Sequence, residues 1–269
     1  MRRAAALLGC LFVLLPATGA AARPLRAMGL DQCADQYLLA LRPDADLALS
    51  PRADDPDAWL RTVAEGRRRV RPTLEAAVAF DPDVVVRYWG GEPRLLRRLS
   101  ETGVRVAAIE DASDFNGVRR NIRTVAQALD APARGEALIA RMDARLAAAA
   151  PPPSSGGPRA GALYLTAGGF TAGSGTLVDA ILAAAGFANL APAPFFGPVS
   201  VERIALAPPA RFVLGFFDQA RGDWRGPGRH PVVRRAARER VAASLPAATL
   251  TCPAWFAADA AALLAERRP

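Results

Sequence analysis

The sequence predicts an α/β fold of two lobes, each with a central, mostly parallel sheet, joined by one long helix and leaving a ligand cleft between them. Three observations lead there. Short aliphatic or aromatic runs alternate with helical patterns, which implies parallel strands covered by helices on both faces. One helix-strand unit occurs twice, as RPTLEAAVAFDPDVVV (71–86) and GPVSVERIALAPPARFVL (197–214). Between the copies lies a stretch patterned for helix alone, ended by PPPSSGGP (151–158), which neither helix nor strand can occupy.

Taken in order, residues 26–30 form a first strand, and CADQYLLAL after Asp31 a helix. DLALS (46–50) is a second strand, Val84-Val85-Val86 a third and VRVAAIE (104–110) a fourth. Helices fall at 73–80 and 93–101. Thr73 caps the first of these, and Glu75 sits in its opening turn, where the helix dipole favours a carboxylate. DFNGVRRNIRTVAQAL (114–129) is an amphipathic helix, and a second starts near Pro132, a residue suited to a first turn. From 133 to 149 that second helix would run about 25 Å, enough to cross between lobes. The second lobe opens with the strand ALYLT (162–166), a glycine-rich turn and the helix GTLVDAILAAAG. NLA, the repeated unit with Ser200 and Glu202 in place of Thr73 and Glu75, and GFFDQA (215–220) follow. An arginine-rich helix, the strand ATLTC (248–252) and a helix over 254–268 close the chain. The division expected is 1–22 signal peptide, 23–130 first lobe, 131–158 connecting helix and linker, and 159–269 second lobe. Both lobes are Rossmann-like.

The signal reading rests on Arg2 and Arg3 before an apolar run from Ala4 to Leu15, then Pro16 and the small residues Ala20-Ala21-Ala22. Leu7-Leu8-Gly9-Cys10 resembles a lipoprotein box, but Cys10 stands inside the apolar run with too little before it, so a lipid anchor is the less favoured alternative. No later stretch offers about 18 uninterrupted apolar residues. Without Cys10 there remain Cys33 and Cys252, an even pair in an oxidising compartment, where bridging is favoured over two buried thiols. The 51% hydrophobic residues and 22% charged ones describe a folded globule. Removing the two signal arginines takes the net charge from +8 to +6, and every basic residue is Arg. Neither Arg67-Arg68-Arg69 nor Arg234-Arg235 is interleaved with aromatics, so a nucleic-acid platform is disfavoured.

AGGFTAGSGT (167–176) has the glycines of a phosphate loop, but a nucleotide loop needs a lysine and this chain has none; a tight strand-to-helix turn is the favoured reading. The single histidine, His230, disfavours a metal site built from side chains and equally a Ser/His/Asp hydrolase. No metal ligand, catalytic group or cofactor is assigned. Aromatics remain. Tyr88-Trp89, Phe170, Phe196 within Phe195-Phe196, Phe217 and Trp224 follow strand ends or sit in nearby loops. Ligands in α/β sheets bind at the carboxyl ends of strands, so these residues are candidates to face a shared crevice, with Arg52 and Arg87 supplying charge for an anionic ligand.

With these residues in view, the sequence resembles the periplasmic substrate-binding proteins of ABC importers for cobalamin, ferric siderophores and haem. LEAAVAFDPDVVV looks like the family's L-E-x-[IV]-x-A-x-x-P-D-[LV]-V segment, and TAGSGTLVDAILAAAGFANLA is similar to its second-lobe segment ending A-G-x-x-N-[LV]-A. The resemblance covers about residues 24 to 265. It implies a monomeric receptor that binds a metal complex between its lobes and docks on a dimeric permease through one glutamate per lobe, here Glu75 and Glu202. It also implies a bridge between Cys33 and Cys252 that pins the C-terminus to the first lobe. A metal-chelate enzyme, or a scavenger without transport, on the same scaffold is the alternative.

Overall fold

A computed structural model describes residues 23–152, 158–219 and 225–268; the expected signal peptide and Trp224 lie outside them. The first sheet holds β1 (Arg26–Gly29), β2 (Asp46–Ala48), β3 (Val84–Arg87) and β4 (Arg105–Ala108), all parallel, in the order β2-β1-β3-β4. The second holds β5 (Ala160–Thr166), β7 (Phe187–Asn189), β9 (Phe212–Gly215) and β10 (Val241–Leu245), also parallel, in the order β10-β9-β5-β7. Read from β7, the second order repeats the first, with β1 matching β5 and β3 matching β9. In each sheet the chain winds one way from the inner strand and then the other, so a switch point falls between β1 and β3 and another between β5 and β9.

The repeated unit sits at matching places. Helix α3 (Leu74–Phe80) leads into β3 and α8 (Val201–Leu206) into β9. The β3 triplet is fully buried, as is expected of an inner parallel strand covered on both faces. The remaining helices are α1 (Gln32–Leu41), α2 (Arg61–Ala64), α4 (Pro93–Glu101), α5 (Phe115–Ala128), α6 (Pro132–Ala149), α7 (Leu177–Ala184), α9 (Pro231–Ala237) and α10 (Ala257–Ala265). A two-stranded antiparallel ribbon of β6 (Phe170–Ala172) and β8 (Phe196–Pro198), absent from the sequence reading, stands over the second sheet.

Two sequence expectations are corrected. The last strand is VAASL and not ATLTC: residues Ala247–Thr249 form a 3-10 turn after Pro246, and the Thr249 and Thr251 hydroxyls donate to the Pro246 and Ala247 carbonyls at 2.7 Å each. Threonine side chains that bond the local backbone in this way compete with strand pairing. The closing helix is also shorter, Ala257–Ala265 rather than 254–268, while α6 is the long helix expected between the lobes. α6 packs on α5 and α10, with Gly135 close enough to α5 that an added Cβ would stand 2.6 Å from the Ala126 methyl. Beyond it, residues 252–256 return to the first lobe. Cys252 is bonded to Cys33, the Tyr37 hydroxyl donates to the Pro253 carbonyl at 2.8 Å, Trp255 meets Tyr37 edge-on, and Phe256 stacks on Trp59. One hydrophobic cluster therefore runs from α1 and β3 through to α7 and α10.

Candidate functional site

A crevice is lined by residues of both lobes. On the first-lobe side it is built around Asp31, the buried N-cap of α1. Its Oδ1 accepts from the Ala34 amide at 3.0 Å, while Oδ2 accepts from the amides of Tyr88 at 2.7 Å and Gly90 at 2.9 Å. One carboxylate thus caps a helix and shapes the loop after β3. Gly90 is obligatory there, since a Cβ would lie 2.4 Å from the Leu30 carbonyl oxygen. The loop after β4 is fixed from behind by buried Asn121, whose side chain accepts from the Glu110 amide at 3.0 Å and donates to the Glu110 carbonyl at 2.8 Å. The two loops meet where the Tyr88 hydroxyl donates to Asp111 Oδ1. Desolvation first, and that carboxylate second, push the Tyr88 hydroxyl pKa far up, so the phenol keeps its proton.

On the second-lobe side the glycine-rich run, expected to be one tight strand-to-helix turn, holds β6 (Phe170–Ala172) between two turns, the second of which leads into α7. Thr176 caps the helix, accepting from the Asp179 amide at 3.2 Å while donating to the Gly173 carbonyl at 2.7 Å. The Gly173 amide donates to the Phe195 carbonyl at 2.8 Å, and Gly175, at φ +81°, lies beneath the Phe195 ring. Phe195 itself adopts φ +59°, a region that bulky residues rarely enter. Phe195 and Phe196 stand about two-thirds exposed, 65% and 66%. Such exposure of adjacent aromatics at a strand-end crevice fits a surface kept free for a ligand.

Between these walls lies a cavity of about 450 Å³ lined by Tyr88 and Asp111 from the first lobe, Thr176, Ile181 and the two phenylalanines from the second, and the stretch through Cys252. Cys252, bridged to Cys33, is therefore part of its lining. To one side the Gln219 amide donates to Asp57 Oδ2 at 3.1 Å and the Gln32 amide to Asp57 Oδ1 at 3.2 Å, which ties the loop after β9 to the loop after β2.

The structure gathers Tyr88 and Phe196 in this cavity and leaves Trp89 and Phe170 exposed near its rims, 61% and 51%. Arg52, Arg87 and Phe217 are engaged elsewhere. Arg52 Nε donates to Asp55 at 2.8 Å, and Arg87 Nε donates to the Gly90 carbonyl at 2.8 Å, bracing the very loop it was expected to arm. Phe217 lies under the Arg229 guanidinium, 5.0 Å from its ring centre, and lines a separate hollow beside α9. Asp111, Asp31 and Phe195 were not singled out as site residues. A carboxylate directly after a strand, as in EDASD (110–114), was the signal available for Asp111.

Glu75 and Glu202 both stand fully exposed in the first turns of α3 and α8. Each is held below the usual carboxylate pKa: Glu75 by its own backbone amide and then Thr73, Glu202 by Ser200 and then its own amide. Ser200 Oγ donates to Glu202 at 2.7 Å and accepts from the Arg203 amide at 3.1 Å; Thr73 Oγ1 accepts from the Ala76 amide at 3.3 Å. His230 caps α9, Nδ1 accepting from the Val232 amide at 3.2 Å. Among the described residues no cluster of His, Cys, Asp and Glu could hold a metal ion, and no helix is long and apolar enough to cross a membrane.

The sequence model of the periplasmic binding protein family matches residues 38–215. The chain belongs to that family. A cobalamin-binding protein of Halobacterium salinarum is 32% identical over 139 residues, a stretch that covers 51% of this chain and only 37% of that relative. Among solved structures, the periplasmic heme-binding protein RhuT of Roseiflexus sp. RS-1 superposes with a TM-score of 0.68 at 23% identity, over 91% of this chain and 97% of that one. The heme-binding protein BhuT, solved with two hemes, gives 0.65 at 25% over 90% and 97%. The vitamin B12 binding protein BtuF of Vibrio cholerae gives 0.61 at 17% over 91% and 96%. The family and these neighbours are binding proteins, and the neighbours share the two-lobed fold.

Proposed function

We propose that the protein is a periplasmic solute receptor that holds a large cyclic metal complex, of the cobalamin, haem or ferric siderophore kind, between its lobes and delivers it to an ABC importer permease. The observation that carries this reading is the cavity lined by Tyr88 and Asp111 of the first lobe and by Phe195 and Phe196 of the second. The aromatic faces suit a flat macrocycle, and the hydroxyls and carboxylate around them suit its polar edge. The cobalamin-binding relative supports a corrinoid as the first ligand to test. The complex is cargo here, so the protein needs no metal ligand cluster of its own.

Delivery is supported by the two glutamates. A carrier of two matched lobes that presents the same charged knob on each suits a partner with two-fold symmetry. Their lowered pKa values keep both charged across the neutral range. The exported form, residues 23 to 269, titrated with cyanocobalamin, haemin and ferric siderophores, should show saturable quenching of tryptophan fluorescence by one of them at micromolar concentration or below. Silence across the panel from a folded chain defeats the reading. The double reversal Glu75→Arg with Glu202→Arg should leave that affinity unchanged and abolish uptake in cells. Unimpaired uptake would favour a scavenger acting without the permease.

A further inference from the structure

We infer that Asp111 is the specificity-determining residue of the cavity, a fixed negative charge that admits net-neutral complexes bearing N–H donors and turns away those bearing carboxylates. The inference rests on the receptor reading above and names the ligand class the site takes. Asp111 lies in the cavity wall, and its position is set twice: the Asn121 clamp holds the preceding residue from behind, and the Tyr88 hydroxyl holds Oδ1 from the side. Tyr88 is in turn held through its amide by Asp31. Oδ2 has no partner among the described residues, so it is available to accept from a ligand amide or amine. Among the described residues none that lines this cavity is an arginine, although the chain holds 34 basic residues, all Arg. Arg52 and Arg87, the arginines at first-lobe strand ends, are committed to Asp55 and to the Gly90 carbonyl.

A carboxylate-bearing ligand would therefore bring its charge against Asp111 with no cation among the described lining residues to offset it, and like charges at such short range repel. A ligand rimmed with primary amides would instead donate to Oδ2, a charge-assisted hydrogen bond. The contrast separates cyanocobalamin, which is neutral and rich in amides, from haemin, with two propionates, and from ferric citrate.

The test is a set of dissociation constants for these three compounds, measured on the wild type, Asp111→Asn, Asp111→Arg and Tyr88→Phe. The wild type is expected to prefer cyanocobalamin, and its haemin affinity to rise with salt as repulsion is screened. Asp111→Asn should narrow the preference about tenfold, the scale of one charge-assisted contact, and Asp111→Arg should reverse it. Tyr88→Phe, which frees Oδ1 and keeps the charge, should retain the preference. A wild type that prefers haemin or ferric citrate, or a ratio unchanged in both Asp111 variants, overturns the inference and leaves the receptor standing. A folded wild type that binds none of the three overturns both.

Discussion

Asp35 shows how much one side chain can decide. It is fully buried in α1, accepts from the Ser50 amide at 3.0 Å and from the Ser50 hydroxyl at 2.5 Å, and fills the space that a Cβ on Gly29 would need. Desolvation outweighs those hydrogen bonds and pushes its carboxyl from 3.8 up to about 8. Because the folded value lies above the unfolded one, the folded chain holds this proton more tightly. The stability so contributed is complete below about pH 4 and is lost as the pH rises through about 8. Asp35→Asn should therefore gain on the wild type between pH 5 and pH 8, read as the difference in urea midpoint at the two values. A constant difference would show that Asp35 stays ionised. Little of this was legible beforehand, because an aspartate in a helical pattern reads as a solvent-facing residue until its neighbours are known. The same limit applied to Arg52 and Arg87, whose partners, Asp55 and the Gly90 carbonyl, were not visible in the sequence.

At the scale of elements, the second-lobe wall depends on one cap. Thr176→Ala would leave the Asp179 amide without its side-chain acceptor and loosen the start of α7, from which Ile181 reaches the cavity. The expected cost is about 1 kcal/mol of unfolding free energy, with weaker ligand binding beside it; an unchanged melting temperature would count against the cap. Caps and inner strands were the readable part of the sequence. Thr73 and Ser200 cap where their patterns place them, and β3 and β9 are strands because short, strongly apolar runs can be covered on both faces. Edge elements were not readable. β10 pairs on one side only, is rich in alanine and remains half exposed, so its pattern is weak, whereas the β-branched ATLTC next to it looks more like a strand than it is. The ribbon of β6 and β8 is three residues to a side amid glycine and proline, too short for alternation to register.

For the whole molecule, the repeat in the sequence is a repeat of topology: the same strand order, the same helix before the same inner strand and the same exposed glutamate. The repeated helix-strand unit and its glutamate were legible, the strand order was not. The return of residues 252–256 to the first lobe was legible only as two cysteines, because the stacking of Trp59 on Phe256 and the edge-on contact of Tyr37 with Trp255 join residues some two hundred positions apart. Replacing both cysteines by serine should lower the unfolding free energy by about 2–5 kcal/mol and, since Cys252 lines the cavity, weaken ligand binding as well. Reduced wild type should behave as the double variant does; equal stability of all three forms would mean that the aromatic contacts alone hold the lobes.

The seam between Cys33 and Cys252 also fixes an order of events in time. The partners are 219 residues apart, so the first lobe cannot be locked until the ribosome has also made the segment that carries Cys252. Until then Tyr37, Trp59 and the Cys33 thiol lack the cover that residues 252–256 provide. The nascent chain therefore carries an open, sticky flank while the residues between are made, a window in which a chaperone has something to hold and a protease something to cut.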